Sequence, residues 1–336
     1  MNPPNKSFAS RRFEPSDVER HGELSPEVGD QRGGALYVYS ERVKLAVRVA
    51  LSTGRPLLVR GAPGWGKSSL AAAIAKHKNW RYLEKVISSR TQARDLMSEL
   101  DLVRRLSDAQ SKLGVDLDWR RYIRPGVLWK AFDPIGANLQ ERFFTRSVAG
   151  GAAIQAAEED AGPAVPAVVL LDEMDKADPD VPNNLLVALG SLQFDVDEIG
   201  PPPVKAQPEA LPLIIVTTND ERDLPRAFLR RCVEIELPAL DGPDNDGSQR
   251  KKLLVEIGAE HLREKLDLAF VQRIADIIVD QANSAPADDG LIVPSPAEFI
   301  DTLRAVHELY GTSATISEIA AVISIAVRKR GLGVGM

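Results

Sequence analysis

The sequence predicts an α/β protein: a parallel β-sheet flanked by helices, followed by a smaller all-helical domain. Three observations carry that reading. Short apolar runs rich in Val, Ile and Leu alternate with longer segments of helical periodicity across residues 35–240. Residues 248–330 keep the helical spacing, as in FVQRIADIIVDQA and AEFIDTLRAVHEL, but lose the strand-like runs. At 336 residues and 44% apolar content the chain is long enough for two domains, each with its own core.

Residues 1–34 carry Pro, Gly, Ser and charge with few apolar side chains, so a flexible tail is expected before an ordered domain that begins near Ala35. Strands are expected at Pro56–Arg60, Tyr82–Ser88, Ala167–Asp172, Leu213–Thr217 and Val233–Leu237. Between Leu113 and Pro166 the pattern loosens. RRYIRPGVLWKAF gives way to GGAAIQAAEEDAGPAVP, and residues 133–166 read as an inserted, mobile segment. DEIGPPPVKAQPEALP cannot be a central strand, because its prolines lack the ladder N–H; Pro201–Pro203 should form a hairpin tip or loop. The run PALDGPDNDGSQ reads as a linker to the helical domain.

Lys and Arg total 42 against 48 for Asp and Glu, a net charge of -6, so the chain lacks the global positive field of a dedicated nucleic-acid binder. Its one cysteine, Cys232, cannot form an intrachain disulfide. The histidines His21, His77, His261 and His307 lack metal-ligand spacing, which speaks against zinc. No run approaches the roughly 18 apolar residues of a membrane span, and the polar start of the chain has no signal-peptide core, so the expected compartment is the cytoplasm without membrane attachment.

The most specific motif is GAPGWGKS, in which Gly61, Gly66, Lys67 and Ser68 satisfy G-x-x-x-x-G-K-[ST]. It follows the apolar run PLLVR and opens the helical run KSSLAAAIAKH, the strand, loop and helix order that phosphate binding needs. The candidate phosphate-binding residues are Gly61, Ala62, Pro63, Gly64, Trp65, Gly66, Lys67, Ser68 and Ser69. Glycines let backbone N–H groups turn to the phosphates, Lys67 reaches the β and γ oxygens, and Ser68 can ligate Mg²⁺. A second signal is AVVLLDEMDKAD. Its strand ends in Asp172, suited to the metal, and Glu173, suited to orienting or deprotonating the attacking water. A third, LPLIIVTTNDERDLPRAFLRRC, delivers Asn219 to the same carboxyl edge, where an amide can hold that water. Arg226, Arg230 and Arg231 follow on a short helix and suit the charge of a transferring phosphoryl group.

GAPGWGKSS, VVLLDEMDKADPDVPNNLLVAL, IIVTTND and LPRAFLRRC, in this order and spacing, resemble the phosphate loop, acidic pair, sensor asparagine and arginine-finger helix of an AAA+ ATPase. Within that superfamily the chain is most similar to the MoxR group. The resemblance implies a strand order of 5-1-4-3-2 and a small helical lid. It also implies an adenine nucleotide with Mg²⁺, and a homo-oligomeric ring, in the usual case a hexamer, with ATP at subunit interfaces. It makes Arg231 the finger that reaches a neighbour's γ-phosphate and the Pro201–Pro203 tip a feature directed at a pore or partner. The implied activity is ATP-driven remodelling of a client protein, in company with a partner that carries a von Willebrand factor A domain.

Asp175 and Lys176 stand where the group has Asn and Arg, so contacts made there should differ. The second-sensor arginine would fall near Pro294–Phe299, yet PSPAEF has none, and Arg304 is the nearest substitute. Trp65 is unusual in a phosphate loop and should pack against the lid or adenine region. One competing reading is a nucleic-acid motor or restriction-type translocase, supported by WRRYIRPGVLWK, where Trp119, Tyr122 and Trp129 interleave with Arg120, Arg121, Arg124 and Lys130. Another is a nucleotide-dependent scaffold with little turnover, against which the intact Asp172, Glu173 and Asn219 argue.

Overall fold

The computed structural model describes residues 12–21, 34–110, 118–148, 165–240, 247–284 and 294–327. Its centre is a five-stranded parallel sheet of β1 (Leu57–Gly61), β2 (Arg81–Val86), β3 (Ala167–Asp172), β4 (Leu213–Thr218) and β5 (Val233–Leu237), in the order β5-β1-β4-β3-β2. Order and strand positions agree with the expectation to within a residue or two. β3 and β4 are buried along their whole length, which is why AVVLLD and LIIVTT read as unbroken apolar runs. The outer strands β2 (RYLEKV) and β5 (VEIEL) alternate instead and leave Glu84, Val86, Glu234 and Glu236 exposed.

The chain divides into two compact units. The first comprises Met1–Glu14, Leu45–Arg60 and Ile74–Ile235, the second Pro15–Lys44, Gly61–Ala73 and Glu236–Met336. In the first, Leu58, Leu96, Trp129, Phe132, Val169, Leu185, Val216 and Phe228 share one apolar core. The chain between the helices Ala93–Met97 and Val127–Phe132 makes an excursion in which Ser98–Leu100 pairs antiparallel with Ile123–Pro125. Part of the expected mobile insertion, residues 133–166, is regular structure: Pro134–Val148 is a helix that buries Ala137, and it follows the helix Val127–Phe132, which buries Leu128 and Phe132. Gly126 is a helix N-cap and Pro134 a first helical residue, positions where Gly and Pro belong. Most of GGAAIQAAEEDAGPAVP lies outside the described residues. The prolines Pro201–Pro203 are exposed between the paired strands Gln193–Phe194 and Val204–Lys205, a hairpin.

In the second unit the helices Ser248–Leu262, Leu268–Ser284, Pro296–Tyr310 and Ile316–Ala326 bury Leu254, Phe270, Ile274, Phe299, Leu303 and Ile319. Ser295/Glu298 and Thr315/Glu318 form capping boxes that satisfy the first N–H groups of the last two helices. Gly258 lets the first of these helices approach the third: a Cβ there would lie 2.7 Å from the Phe299 ring and 2.8 Å from Leu303. The second unit also takes in residues ahead of the expected boundary. Val18–Arg20 pairs antiparallel with Leu36–Val38, and the Arg20 guanidinium donates to the Glu260 carboxylate at 2.6 Å.

The expected tail is therefore ordered at residues 12–21, and Phe13, in the first unit, is wholly buried with its ring 5.1 Å from that of His77. Phe13 and Pro15 are buried there, and Arg20 and Asp17 pair with Glu260 and Lys44 respectively, contacts that composition does not show. The remaining tail residues, 1–11 and 22–33, and residues 241–246 of the expected linker lie outside the described residues. No helix among the described residues is long and apolar enough to cross a membrane.

Candidate active site

In the second unit the loop after β1 turns through Gly61, Gly64 and Gly66, at φ of 134°, 82° and 77°, into the helix that begins at Lys67. Positive φ at these glycines lets loop N–H groups turn outward, as an anion nest requires. Gly61 and Gly64 are also sterically required, because a Cβ would lie 2.4 Å from the Leu237 carbonyl and from Ser295 Oγ respectively. Ala62, Pro63 and Trp65 fill the loop between them, and Ser68 and Ser69 open the first helical turn. Lys67 is only 7% exposed, and its ammonium donates to the carbonyls of Gly61 (2.6 Å) and Ala62 (2.9 Å). A buried ammonium in a nest of N–H groups fits the phosphates of a nucleotide.

The helix Pro296–Tyr310 meets this loop at its first residues, where the Ala297 N–H points to the Gly64 carbonyl at 3.4 Å. The position nearest the loop thus offers a methyl group and no cation. Arg304 lies seven residues on, about 10 Å along the helix axis. Its charge acts on His261, whose pKa is lowered first by burial and further by Arg304 and Arg20. The Trp65 ring faces Arg250 of the helix Ser248–Leu262, with the guanidinium 5.9 Å from the ring centroid.

In the first unit Leu57–Arg60, β3 and β4 are neighbouring parallel strands, with Thr218 opposite Arg60 and Val216 opposite Leu171, so Arg60, Asp172 and Thr218 end at one carboxyl edge. Asp172 is 2% exposed and Glu173 follows it with φ 62° and ψ 48°, a left-handed conformation rare for a side chain of this size. Thr217 joins the two. Its hydroxyl donates to Asp172 Oδ1 at 2.5 Å and accepts the Glu173 N–H at 2.9 Å. Asn219 leaves the same edge, and its N–H donates to Asp175 Oδ2 at 3.0 Å. Neither Thr217 nor Asp175 is among the residues that the sequence pattern singles out for the site.

The arginines lie on a separate turn. The helix Arg226–Leu229 is anchored by buried Phe228 and exposes Arg226, Arg230 and Arg231. Arg231 Nη1 donates to the Leu186 carbonyl at 2.9 Å. Arg55 fastens the turn from beneath by donating to the carbonyls of Arg230 (2.8 Å), Arg231 (3.1 Å) and Cys232 (2.6 Å).

The aromatic and basic segment 119–130 is spent on packing. Tyr122 and Trp129 are buried, Arg105 stacks 3.6 Å from the Trp119 ring centroid, and Arg124 and Lys130 both pair with Glu141. The rings of Tyr122 and Trp129, buried in this way, present no open face for bases, while Trp119 is half-buried.

Residues 56–232 match the AAA domain family, dynein-related subfamily. No curated protein sequence matches the chain. Among solved structures, the RuvB Holliday junction branch migration motor of Thermotoga maritima aligns over 85% of this chain and 67% of its own at 14% identity and a TM-score of 0.43. A variant of the same RuvB aligns over 86% and 71% at 13% identity and a TM-score of 0.45.

Proposed function

Because the chain belongs to the AAA domain family, dynein-related subfamily, we propose that it hydrolyses ATP with Mg²⁺ and uses the energy to remodel a client protein, as its MoxR-like motifs imply. On this reading the loop amides of Gly61–Ser69 and the Lys67 ammonium hold the β- and γ-phosphates. The Ser68 hydroxyl and the Asp172 carboxylate are hard oxygen donors of the kind Mg²⁺ takes. The bound ion supplies positive charge to the phosphate oxygens. Glu173 accepts the proton of the attacking water, and Asn219 orients that water. Arg231, from the adjacent subunit of a ring, stabilises charge on the transferring phosphoryl group. Residues 248–330 act as the lid and the Pro201–Pro203 hairpin as a client-facing tip. A protein with a von Willebrand factor A domain is the partner to test first.

The observation that carries this reading is the Thr217 bridge between Asp172 and Glu173. A left-handed residue other than glycine costs about 1–3 kcal/mol, and such strain gathers where function requires it. Here it turns Glu173 out of the strand while Asp172 stays fixed in line with it. Two carboxylates with separate environments suit separate tasks, one on the metal and one on the water.

The test is Glu173→Gln, whose amide keeps a hydrogen bond to water but takes no proton. Affinity for Mg-ATP should stay within about threefold of the parent while turnover falls at least about a hundredfold. Unchanged hydrolysis would remove Glu173 from the role of base. The same variant should trap ATP and client together, so a pull-down with it identifies the partner.

A further inference from the structure

The backbone that carries Asn219 is gripped from two sides. Asp175, 2% exposed in the turn after the acidic pair, accepts the N–H of Asn219 at 3.0 Å and of Glu221 at 3.1 Å on one oxygen, Oδ2. Its other oxygen, Oδ1, is buried and accepts no hydrogen bond among the described residues. Across the loop Arg60 donates to the Asp220 carboxylate at 3.0 Å, and Thr218 Oγ1 accepts the Asp220 N–H at 3.0 Å. Asp220 itself is left-handed, with φ of 59°.

We propose that Asp175 is the positioning residue for Asn219: by fixing the peptide from which the Asn219 side chain springs, it sets where that amide stands relative to the attacking water. Burying a carboxylate is costly unless it makes strong bonds, and a turn that needed packing alone would be better served by an apolar side chain. Asp175 spends its buried charge on two consecutive grips of one loop, and hydrogen bonds to an ionised acceptor are about twice as strong as neutral ones. The link also runs between functions. Asp175 lies three residues after Asp172 and two after Glu173, so the same turn holds the acidic pair and the sensor loop in register. An asparagine here could keep both bonds through its amide oxygen. Its NH₂ group would take the place of Oδ1, which accepts nothing that would be lost.

The inference rests on the reading that Asn219 serves ATP hydrolysis, and two measurements keep the claims apart. In steady-state assays of the full chain with Mg-ATP, Asp175→Ala should lower kcat at least about tenfold with KM within about twofold, the pattern of a group that acts on the transition state. Asp175→Asn should stay within about threefold of the parent. In an Asn219→Ala background, Asp175→Ala should add less than about twofold, because the two act as one unit. Asp175→Leu, which keeps the volume and loses the acceptor, takes the place of Asp175→Ala if the latter does not fold.

The second measurement is hydrogen exchange, in which the amides of Asn219 and Glu221 should exchange at least about tenfold faster in the Ala or Leu variant while those of β3 are unchanged. Equal losses for the Asn and Ala variants, multiplication of the two kcat effects, or unaltered exchange would each overturn the proposal. A parent chain that binds ATP without hydrolysing it would overturn the functional reading instead, and exchange would still decide whether Asp175 holds the loop.

Discussion

Thr217 makes two bonds that only a hydroxyl in that place can make together, a donation to Asp172 and an acceptance from Glu173. Thr217→Val removes both at constant shape. Losing the hydrogen bonds to the part-buried Glu173 N–H and to buried Asp172 should cost about 1–3 kcal/mol of stability. It should also lower kcat at least about tenfold, because Glu173 is then no longer held in its strained orientation. Urea unfolding and ATPase assays measure the two effects, and Thr217→Ser should recover most of both. The loop residues Gly61–Ser69 and the pair Asp172–Glu173 were legible because each is a local spacing that ends a strand. Thr217, Asp175 and Arg55 were not, since their partners lie 45, 44 and 175 positions away in the chain. Asp175 had drawn notice as a departure from a familiar pattern. Its two backbone partners, which give that departure a meaning, exist only once β3 and β4 are side by side.

Among elements, the sheet strands were readable because burial on both faces leaves an unbroken apolar signature, as in β3 and β4. The helices Val127–Phe132 and Pro134–Val148 were not, because Pro and Gly punctuate a loop and open a helix with the same letters. Close approach of two helices is equally silent in sequence. Gly258 sits where a methyl group would overlap the buried Phe299 ring and Leu303, and both sides of that contact are wholly covered. Gly258→Ala gains helix propensity of about 0.8–1.0 kcal/mol. The overlap should nevertheless win, with a net loss of about 1–2 kcal/mol, since overpacking a tight interior costs about 1–3 kcal/mol. Thermal unfolding decides the sign, and a stabilised variant would mean that the helices separate freely.

At the scale of the whole molecule, the composition of residues 1–34 hid the short strand Val18–Arg20 and the buried Phe13, because a mean over a segment dilutes its few anchoring residues. Assembly has its own test. Arg231→Ala should bind ATP nearly as the parent does and lose at least about a hundredfold in kcat, since a finger contributes mainly once charge develops. If it serves a neighbour, mixing it with Lys67→Ala should restore activity at interfaces that pair an intact loop with an intact finger. Co-assembled mixtures that stay inactive at every ratio would exclude a trans role. The sheet order bears on how copies can meet. Among the described residues β2 ends the sheet, with no strand beside its outer edge. Arg81, Glu84 and Lys85 charge its six residues, and laying a second copy of RYLEKV alongside would crowd like charges or strip them of water. Such a charged border disfavours edge-to-edge strand pairing between copies of the chain, so any assembly of copies would have to use side-chain surfaces elsewhere.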